Sequence, residues 1–114
     1  QYDRFLPINA RFLAWMNRWQ VRDGVPNEHD DAAYDGGLLE ELATLHGEVD
    51  PIFADAVADL PRLSCFRATL AHAHEQIRNG DTQYVGNPRI LSYHQTWFEF
   101  HQDLMDSLAI ARSE

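Results

Sequence analysis

Large apolar side chains recur every three or four residues along four stretches of the chain, which is the spacing of an amphipathic α-helix. The first stretch runs from about Asp3 to Arg22 and the second from Leu38 to Leu60. The third runs from Pro61 to a stop at Asn79-Gly80, and the fourth opens at Asn87-Pro88. No segment alternates with the period of two that a half-buried strand would show. The pattern predicts an all-α protein, a bundle of four or five helices.

The apolar positions of these stretches define the predicted core. In the second and fourth stretches they alternate steps of four and three residues, as in the seam between packed helices. The predicted core residues are Phe5, Ile8, Phe12, Trp15, Met16 and Trp19; Leu38, Leu42, Leu45, Val49, Ile52 and Ala56; Leu63, Phe66, Leu70, His74 and Ile77; and Ile90, His94, Trp97, His101, Leu104 and Leu108, with Phe98 and Met105 widening the last stripe.

Glycine and proline residues are expected to interrupt this pattern. Residues 24–27 mark a loop, and Gly36-Gly37 marks a break before the second helix. Pro51 lies inside that helix, where its ring opposes the carbonyl four residues back, so we expect two helical pieces that meet near residues 47–51. The polar segment 28–35 has no clear period, and both helix and loop remain open for it.

Composition places the chain among globular proteins, since 45% of its residues are apolar and 24% are charged. No apolar run approaches the length of a membrane span, and no secretory leader is visible. A single cysteine cannot form an internal disulfide, and all nine basic residues are arginine, as in proteins of GC-rich bacteria. We therefore expect a cytoplasmic bacterial protein, with one helical domain over residues 1–114. Because the chain starts at Gln1, a fragment of a longer chain is an open alternative.

The charge is unevenly distributed. Eleven of the eighteen acidic residues lie between Asp23 and Pro61, a segment without lysine or arginine. Such a field attracts a basic partner and disfavours nucleic acid, so we expect no direct nucleic-acid binding. The carboxylates either solvate the outer face of the second helix or form a surface for a basic protein. The residues in question are Glu40, Glu41, Glu48, Asp55 and Asp59.

Three histidines fall on predicted apolar seams. His94 and His101 share one helix face but lie about 10 Å apart by helical rise, too far to ligate one metal ion together. The chain contains neither a Glu-x-x-His pair nor a His-Glu-x-x-His helix, so we predict no metal and no cofactor. The imidazoles either form hydrogen bonds within the core or line a pocket for a small ligand. The candidate pocket residues are His74, Tyr93, His94, Trp97, Phe98 and His101.

The aromatic pair Trp15 and Trp19 lies one helical turn apart. Core packing explains the pair, and a surface that becomes buried on homodimerisation is the alternative. A Gly-rich phosphate loop and a Gly-x-Ser-x-Gly elbow are both absent from the sequence. We therefore predict no catalytic residues and no enzymatic activity.

Two parts of the chain carry a family resemblance. The motif Arg-Phe-Leu-Ala-Trp at 11–15 leads to Trp-Gln-Val-Arg at 19–22, and Asn87-Pro88 precedes Ser-Tyr-His-Gln-Thr-Trp-Phe-Glu-Phe-His-Gln-Asp-Leu at 92–104. They resemble the region that follows the winged helix in some small actinobacterial transcriptional regulators. The resemblance implies a helical accessory domain that dimerises, senses a ligand or contacts another protein. It singles out Tyr93, His94, Trp97, Glu99, His101 and Asp103. No helix-turn-helix with basic recognition positions is present.

Three hypotheses follow. The leading one is a regulatory domain of a bacterial transcriptional regulator, with the aromatic faces of the first and fourth helices packing against a second copy or a small-molecule effector. The alternative is an acidic inhibitor of a basic partner, such as an immunity protein or an antitoxin. The third is a metal- or small-molecule-binding bundle that uses His74, His94 and His101.

Overall fold

The computed structural model describes residues 2–113, and the side chains of residues 3–106. The described elements are α1 (Tyr2–Gln20), β1 (Val21–Arg22), β2 (Val25–Pro26), α2 (Ala32–Asp59), a 3-10 turn (Pro61–Leu63), α3 (Ser64–Arg78), α4 (Gln83–Gly86) and α5 (Tyr93–Ser113). The predicted all-α class is confirmed. The described chain forms two compact units, and the boundary between them falls between Phe53 and Ala54, inside α2.

In the first unit, α1 and the first part of α2 run antiparallel. Contacts that step back along α1 step forward along α2: Arg18 lies 2.6 Å from Glu41, and Arg11 lies 2.7 Å from Glu48. From a position between Arg11 and Arg18 on α1, the Trp15 indole N–H donates a buried hydrogen bond of 2.6 Å to the Leu38 carbonyl. The predicted seam residues that belong to the first unit, which are those of α1 and those of α2 up to Ile52, are all buried except the half-buried Ile8.

A β-hairpin with two residues in each strand follows α1 and leads towards α2. The periodicity did not predict this hairpin. Helix α1 ends at Gln20, and Val21 and Arg22 pair with Pro26 and Val25. Both turn residues have left-handed backbone, with φ of 54° at Asp23 and 80° at Gly24. Asp-Gly is the preferred pair for a type I′ turn, whose twist matches that of the flanking strands. The expected extension of the first helix to Arg22 was therefore wrong.

Helix α2 is continuous, contrary to two of the predicted interruptions. The Asp31 carboxylate accepts a hydrogen bond of 3.1 Å from the Tyr34 backbone N–H, which caps the helix one turn before Gly36-Gly37. Both glycines lie inside α2, because the helix has already begun at the capped residues that precede them. Pro51 also lies within the helix. The bond from Tyr34, followed by the bond from Arg22, lowers the pKa of Asp31, as expected for a capping carboxylate.

In the second unit, α3 packs against α4 and antiparallel to α5. Arg62 lies 2.6 Å from Asp103, and further along α3 the His74 ring lies 6.2 Å from the Tyr93 ring. Helix α3 ends at the predicted stop, where Gly80 has a φ of 98° and its N–H donates to the Ile77 carbonyl at 3.0 Å. Glycine suits this position because it adopts left-handed backbone without a steric penalty.

Helix α5 begins later than the periodicity predicted, and its buried face includes the predicted Trp97 and Leu104 but not Phe98. The Ser92 hydroxyl accepts a hydrogen bond of 3.2 Å from the Gln95 backbone N–H and so caps the helix, whereas Asn87-Pro88 belongs to the preceding loop. Phe98 is 58% exposed, and the buried aromatic residues on this helix turn are Trp97 and Phe100. Met105 is also exposed, and Leu108 lies outside the described side chains.

Candidate binding groove

Four of the predicted aromatic site residues are core residues of their units. Trp15 and Trp19 stack with ring centroids 5.5 Å apart in the first unit, and Tyr93 and Trp97 lie 5.9 Å apart in the second. None of the four is more than 6% exposed. Their burial leaves them no surface to offer a partner, so the mechanism in which aromatic faces pack against a second copy or an effector does not hold for them.

The seam histidines are distributed along the second unit. His74 is buried with its ring edge-on to Tyr93, whereas His94 and His101 are half-buried. Burial lowers the pKa of His94, because the charged imidazolium is less well solvated there. Among the described residues, no group of three or more His, Cys, Asp or Glu side chains is placed to hold a metal ion.

The predicted acidic surface lies on the solvent side of α2. All five of its carboxylate residues, Glu40, Glu41, Glu48, Asp55 and Asp59, are exposed. At least two of them already form ion pairs within the chain, Glu41 with Arg18 and Glu48 with Arg11. The arginines of α1 thus compensate part of the charge that a basic partner would have met, which weakens the argument for an acidic inhibitor.

An open groove of about 730 Å³ lies in the second unit, between α3, α4, the loop after α4 and the first turns of α5. Its volume is within the range of small-molecule sites. The His72 and Tyr84 rings meet edge-on inside it, 5.8 Å apart. The residues that line the groove are Ala68, Thr69, His72, Tyr84, Pro88, Arg89, Ile90, Leu91, Gln95 and Glu99. Aromatic and aliphatic side chains therefore line the groove together with a few polar groups.

The loop that carries Arg89 is fixed by Asn87. The Asn87 side-chain carbonyl accepts a hydrogen bond of 2.9 Å from the Arg89 backbone N–H, and the Asn87 backbone carbonyl accepts one of 3.3 Å from Ile90. On the facing helix, the Gln95 amide donates to the Glu99 carboxylate at 3.2 Å. Within the described part of the chain, the Arg89 guanidinium has no hydrogen-bond or ion-pair partner. The groove thus offers one uncompensated cation next to apolar walls.

The spacing of apolar residues did not indicate this groove, because it placed residues 87–91 at the start of a helix. Ser-x-x-Gln at 92–95 is a capping-box sequence, which would have placed the helix start at Tyr93 and left Asn87 to Leu91 as a loop. None of the predicted pocket residues lines the groove. Its side chains come from the outward-facing positions of α3 and α5, from the short α4 and from the loop after it, where hydrophobic spacing carries no information.

A polar cluster that follows the hairpin in the first unit was also not predicted. His29 has a left-handed φ of 59°, its ring packs 4.4 Å from the Trp19 ring, and its Nδ1 lies 2.9 Å from an Asp35 carboxylate oxygen. The Asn27 amide donates to the Trp19 carbonyl at 2.9 Å and to Asp35 at 3.2 Å. These contacts fasten the loop between the hairpin and α2, which is a structural role.

Within the described residues, no helix combines the length and apolar character needed to cross a membrane. Comparison of the chain with protein-family models, curated proteins and solved structures gives no match. The fold class and the groove geometry are therefore the basis for a functional proposal, together with the resemblance of residues 11–22 and 87–104 noted above.

Proposed function

We propose that this chain is a non-enzymatic helical regulatory domain of a bacterial transcriptional regulator, and that it senses a small organic anion in the groove of its second unit. The single observation that carries the sensing role is the uncompensated Arg89 guanidinium beside the apolar walls of that groove. The transcriptional context is supported by the family resemblance alone.

The chemistry of the groove favours a ligand with a flat or aliphatic body and one carboxylate. Tyr84 and His72 offer aromatic surface, and Leu91, which is 59% exposed, offers apolar surface that a ligand would cover. Arginine binds carboxylates in a planar, two-pronged geometry, which adds orientation to attraction. Glu99 would repel an anion that bound next to α5, so the carboxylate is expected on the Arg89 side.

The proposal is tested by following backbone amide NMR signals of the whole chain during titration with sodium benzoate, and in parallel with benzyl alcohol as a neutral analogue. We expect benzoate to shift signals of residues 68–72, 84 and 88–95. Benzyl alcohol should bind about tenfold more weakly, because a charge-assisted hydrogen bond is lost, on the order of 1.4 kcal/mol.

Two arginine variants separate the site from general charge effects. Arg89→Gln is expected to reduce benzoate affinity to that of benzyl alcohol. Arg78→Gln is the matched control, since Arg78 is exposed at the end of α3 and does not line the groove. Equal affinity of both variants for benzoate, or shifts scattered over the first unit, would contradict the proposal.

The regulatory assignment has its own test, which does not depend on any ligand. We expect coding sequence upstream of the Gln1 codon to encode a winged helix. An upstream region that lacks such a sequence would overturn the transcriptional part of the proposal and leave the groove as a binding site in a protein of another kind.

A further inference from the structure

The groove of the second unit contains an acidic side chain as well as a basic one. Apart from the imidazole of His72, the charged side chains that line it are Arg89 and Glu99. Arg89 belongs to the loop before α5, and Glu99 belongs to α5 itself. An organic anion accounts for Arg89 but is repelled by Glu99. Glu99 therefore places a second chemical condition on a ligand that fills the groove.

The exposed Glu99 carboxylate is held in place by a neutral group. The Gln95 amide, which also lines the groove, donates a hydrogen bond of 3.2 Å to Glu99 from one helical turn earlier. Within the described residues, no arginine or histidine forms an ion pair with Glu99. A neutral amide donor orients a carboxylate and leaves its charge in place. The groove thus has an uncompensated anion on α5 as well as the uncompensated cation on the loop.

Arg89 and Glu99 lie apart along the groove. Tyr93 is the first residue of α5, and Glu99 follows it by six residues, which is about 9 Å along the helix axis. Arg89 precedes Tyr93 in the loop, and in the described chain no ion pair joins the two charged side chains. Ile90 and Leu91, which lie between them in sequence, supply apolar surface to the groove. A ligand that met both charges would have an apolar body with a charged group at each end.

We propose that the groove selects an amphoteric ligand, a carboxylate whose aromatic or aliphatic body ends in a protonated amine. This selection rests on the binding of an organic anion in the groove, which it narrows to one chemical class. Arg89 binds the carboxylate, the body covers Leu91 and the Tyr84 ring, and the ammonium group donates to Glu99. An ammonium group has three donors, so it reaches the Glu99 carboxylate while the Gln95 amide keeps its own bond.

α-Amino acids fit this arrangement poorly. Their ammonium and carboxylate groups share one carbon atom, so a molecule held by Arg89 would keep its ammonium group beside the arginine, where like charges repel. In a ligand of the proposed class, each end meets a group of the opposite charge. The net charge of −9 also attracts any amine to the protein. A contact with Glu99 differs from this general attraction because removal of one carboxylate abolishes it.

Two ligands of nearly equal size test the proposal by NMR titration of the whole chain at neutral pH. Para-aminomethylbenzoate carries an ammonium group where para-hydroxymethylbenzoate carries a neutral hydroxyl group. We expect the amine to bind about three- to fivefold more tightly, the gain typical of one ion pair at an exposed carboxylate. The amine should also shift the backbone amide signal of Glu99 more than the alcohol does.

Two variants of α5 identify the carboxylate that is responsible for the difference. Glu99→Gln is expected to make the two ligands bind equally, and it should not weaken the binding of the alcohol, because a repelling charge is removed. Asp106→Asn is the matched control and also removes one negative charge. Asp106 is exposed on the same helix, accepts a hydrogen bond of 3.3 Å from Gln102 and does not line the groove. The control variant should keep the full preference for the amine.

The outcomes distinguish this inference from the anion binding on which it rests. Equal binding of both ligands to the unmodified protein, with shifts confined to the groove, would overturn the amphoteric class and leave the anion site standing. A preference for the amine that persists in Glu99→Gln would also overturn it, since general attraction to an acidic chain would then be the cause. If neither ligand shifted the groove signals, the anion site and the inference would both be wrong.

Discussion

Buried polar contacts of single side chains are the residue-scale features of this protein that spacing alone does not predict. The Trp15 indole has no exposed surface and bonds to the Leu38 carbonyl at the first turns of α2. It therefore fills the core of the first unit and also ties α1 to α2. The core position of Trp15 followed from the sequence, whereas its bond to a carbonyl 23 residues away depends on the path of the hairpin and could not be read from periodicity.

Replacing Trp15 by phenylalanine should show how much its packing and its hydrogen bond to Leu38 contribute to stability. The smaller ring leaves space in the core and removes the hydrogen bond, so we expect the free energy of unfolding to fall by about 2–4 kcal/mol. Chemical denaturation followed by circular dichroism provides the measurement. Leu13→Ala is the control, because Leu13 is 52% exposed on the same helix and should change stability by no more than about 0.5 kcal/mol. Equal losses for both variants would contradict the described contact.

The partial burial of His94 predicts that the free energy of unfolding depends on pH. Burial lowers its pKa in the folded protein below the ordinary value of 6.5, so the unfolded chain binds a proton at a pH at which the folded chain does not. The stability that this residue contributes is present above pH 6.5 and is lost as pH falls through the lowered folded-state pKa. The midpoint of urea denaturation should therefore decrease from pH 8 to pH 5.5, and less steeply in His94→Gln. Identical pH profiles of the two proteins would refute the assignment.

At the scale of elements, the helices show where sequence patterns suffice and where local capping decides. All six predicted seam residues of α2 are buried, since a 28-residue amphipathic helix leaves little freedom in which face turns inward. Gly36-Gly37 and Pro51 nevertheless did not interrupt the helix, because Asp31 caps it ahead of the glycines. Val49 and Ile52, on either side of Pro51, are both buried and hold the helix in place there. Propensity is a weak signal when such tertiary contacts oppose it.

Helix α5, which the fourth apolar stretch predicted, shows the opposite outcome. The predicted start at Asn87 was too early, and although Trp97 and Leu104 are buried as predicted, Phe98 was assigned inward and Phe100 was left out. The capping residues Ser92 and Gln95 held the information needed to correct the start of the helix. The same holds for Asp23-Gly24, a hairpin signal that the search for longer alternating strands passed over.

A pair of glycine substitutions tests the assigned backbone of these elements. Gly47 lies inside α2 with no atom within 4 Å of an added Cβ, so Gly47→Ala should raise the free energy of unfolding by about 0.5–1 kcal/mol. Gly24 has similar open space but a φ of 80°, so Gly24→Ala should lower it by about 1 kcal/mol through backbone strain. Thermal denaturation of the two variants compares them directly. A gain in stability from both would show that the type I′ turn is wrongly assigned.

At the scale of the whole molecule, the net charge of −9 makes it informative to ask which arginines pair with carboxylates. Most of the arginines with a described partner bind carboxylates of the same unit, as Arg11 and Arg18 do on α2. Arg89 differs in standing beside apolar and aromatic surface without such a partner in the described chain. The sequence composition showed the excess of acidic residues but could not show which arginines pair with carboxylates. The candidate site is located by the contrast between the paired arginines and Arg89.

The binding of an organic anion in the groove is the central claim, and intermolecular nuclear Overhauser effects between benzoate and the protein test it most directly. With the leucine methyl groups labelled, the account predicts contacts from the benzoate ring protons to Leu91 and to the ring of Tyr84. Contacts only to Leu6 and Leu13, the exposed leucines of α1, or none at saturating benzoate, would contradict it.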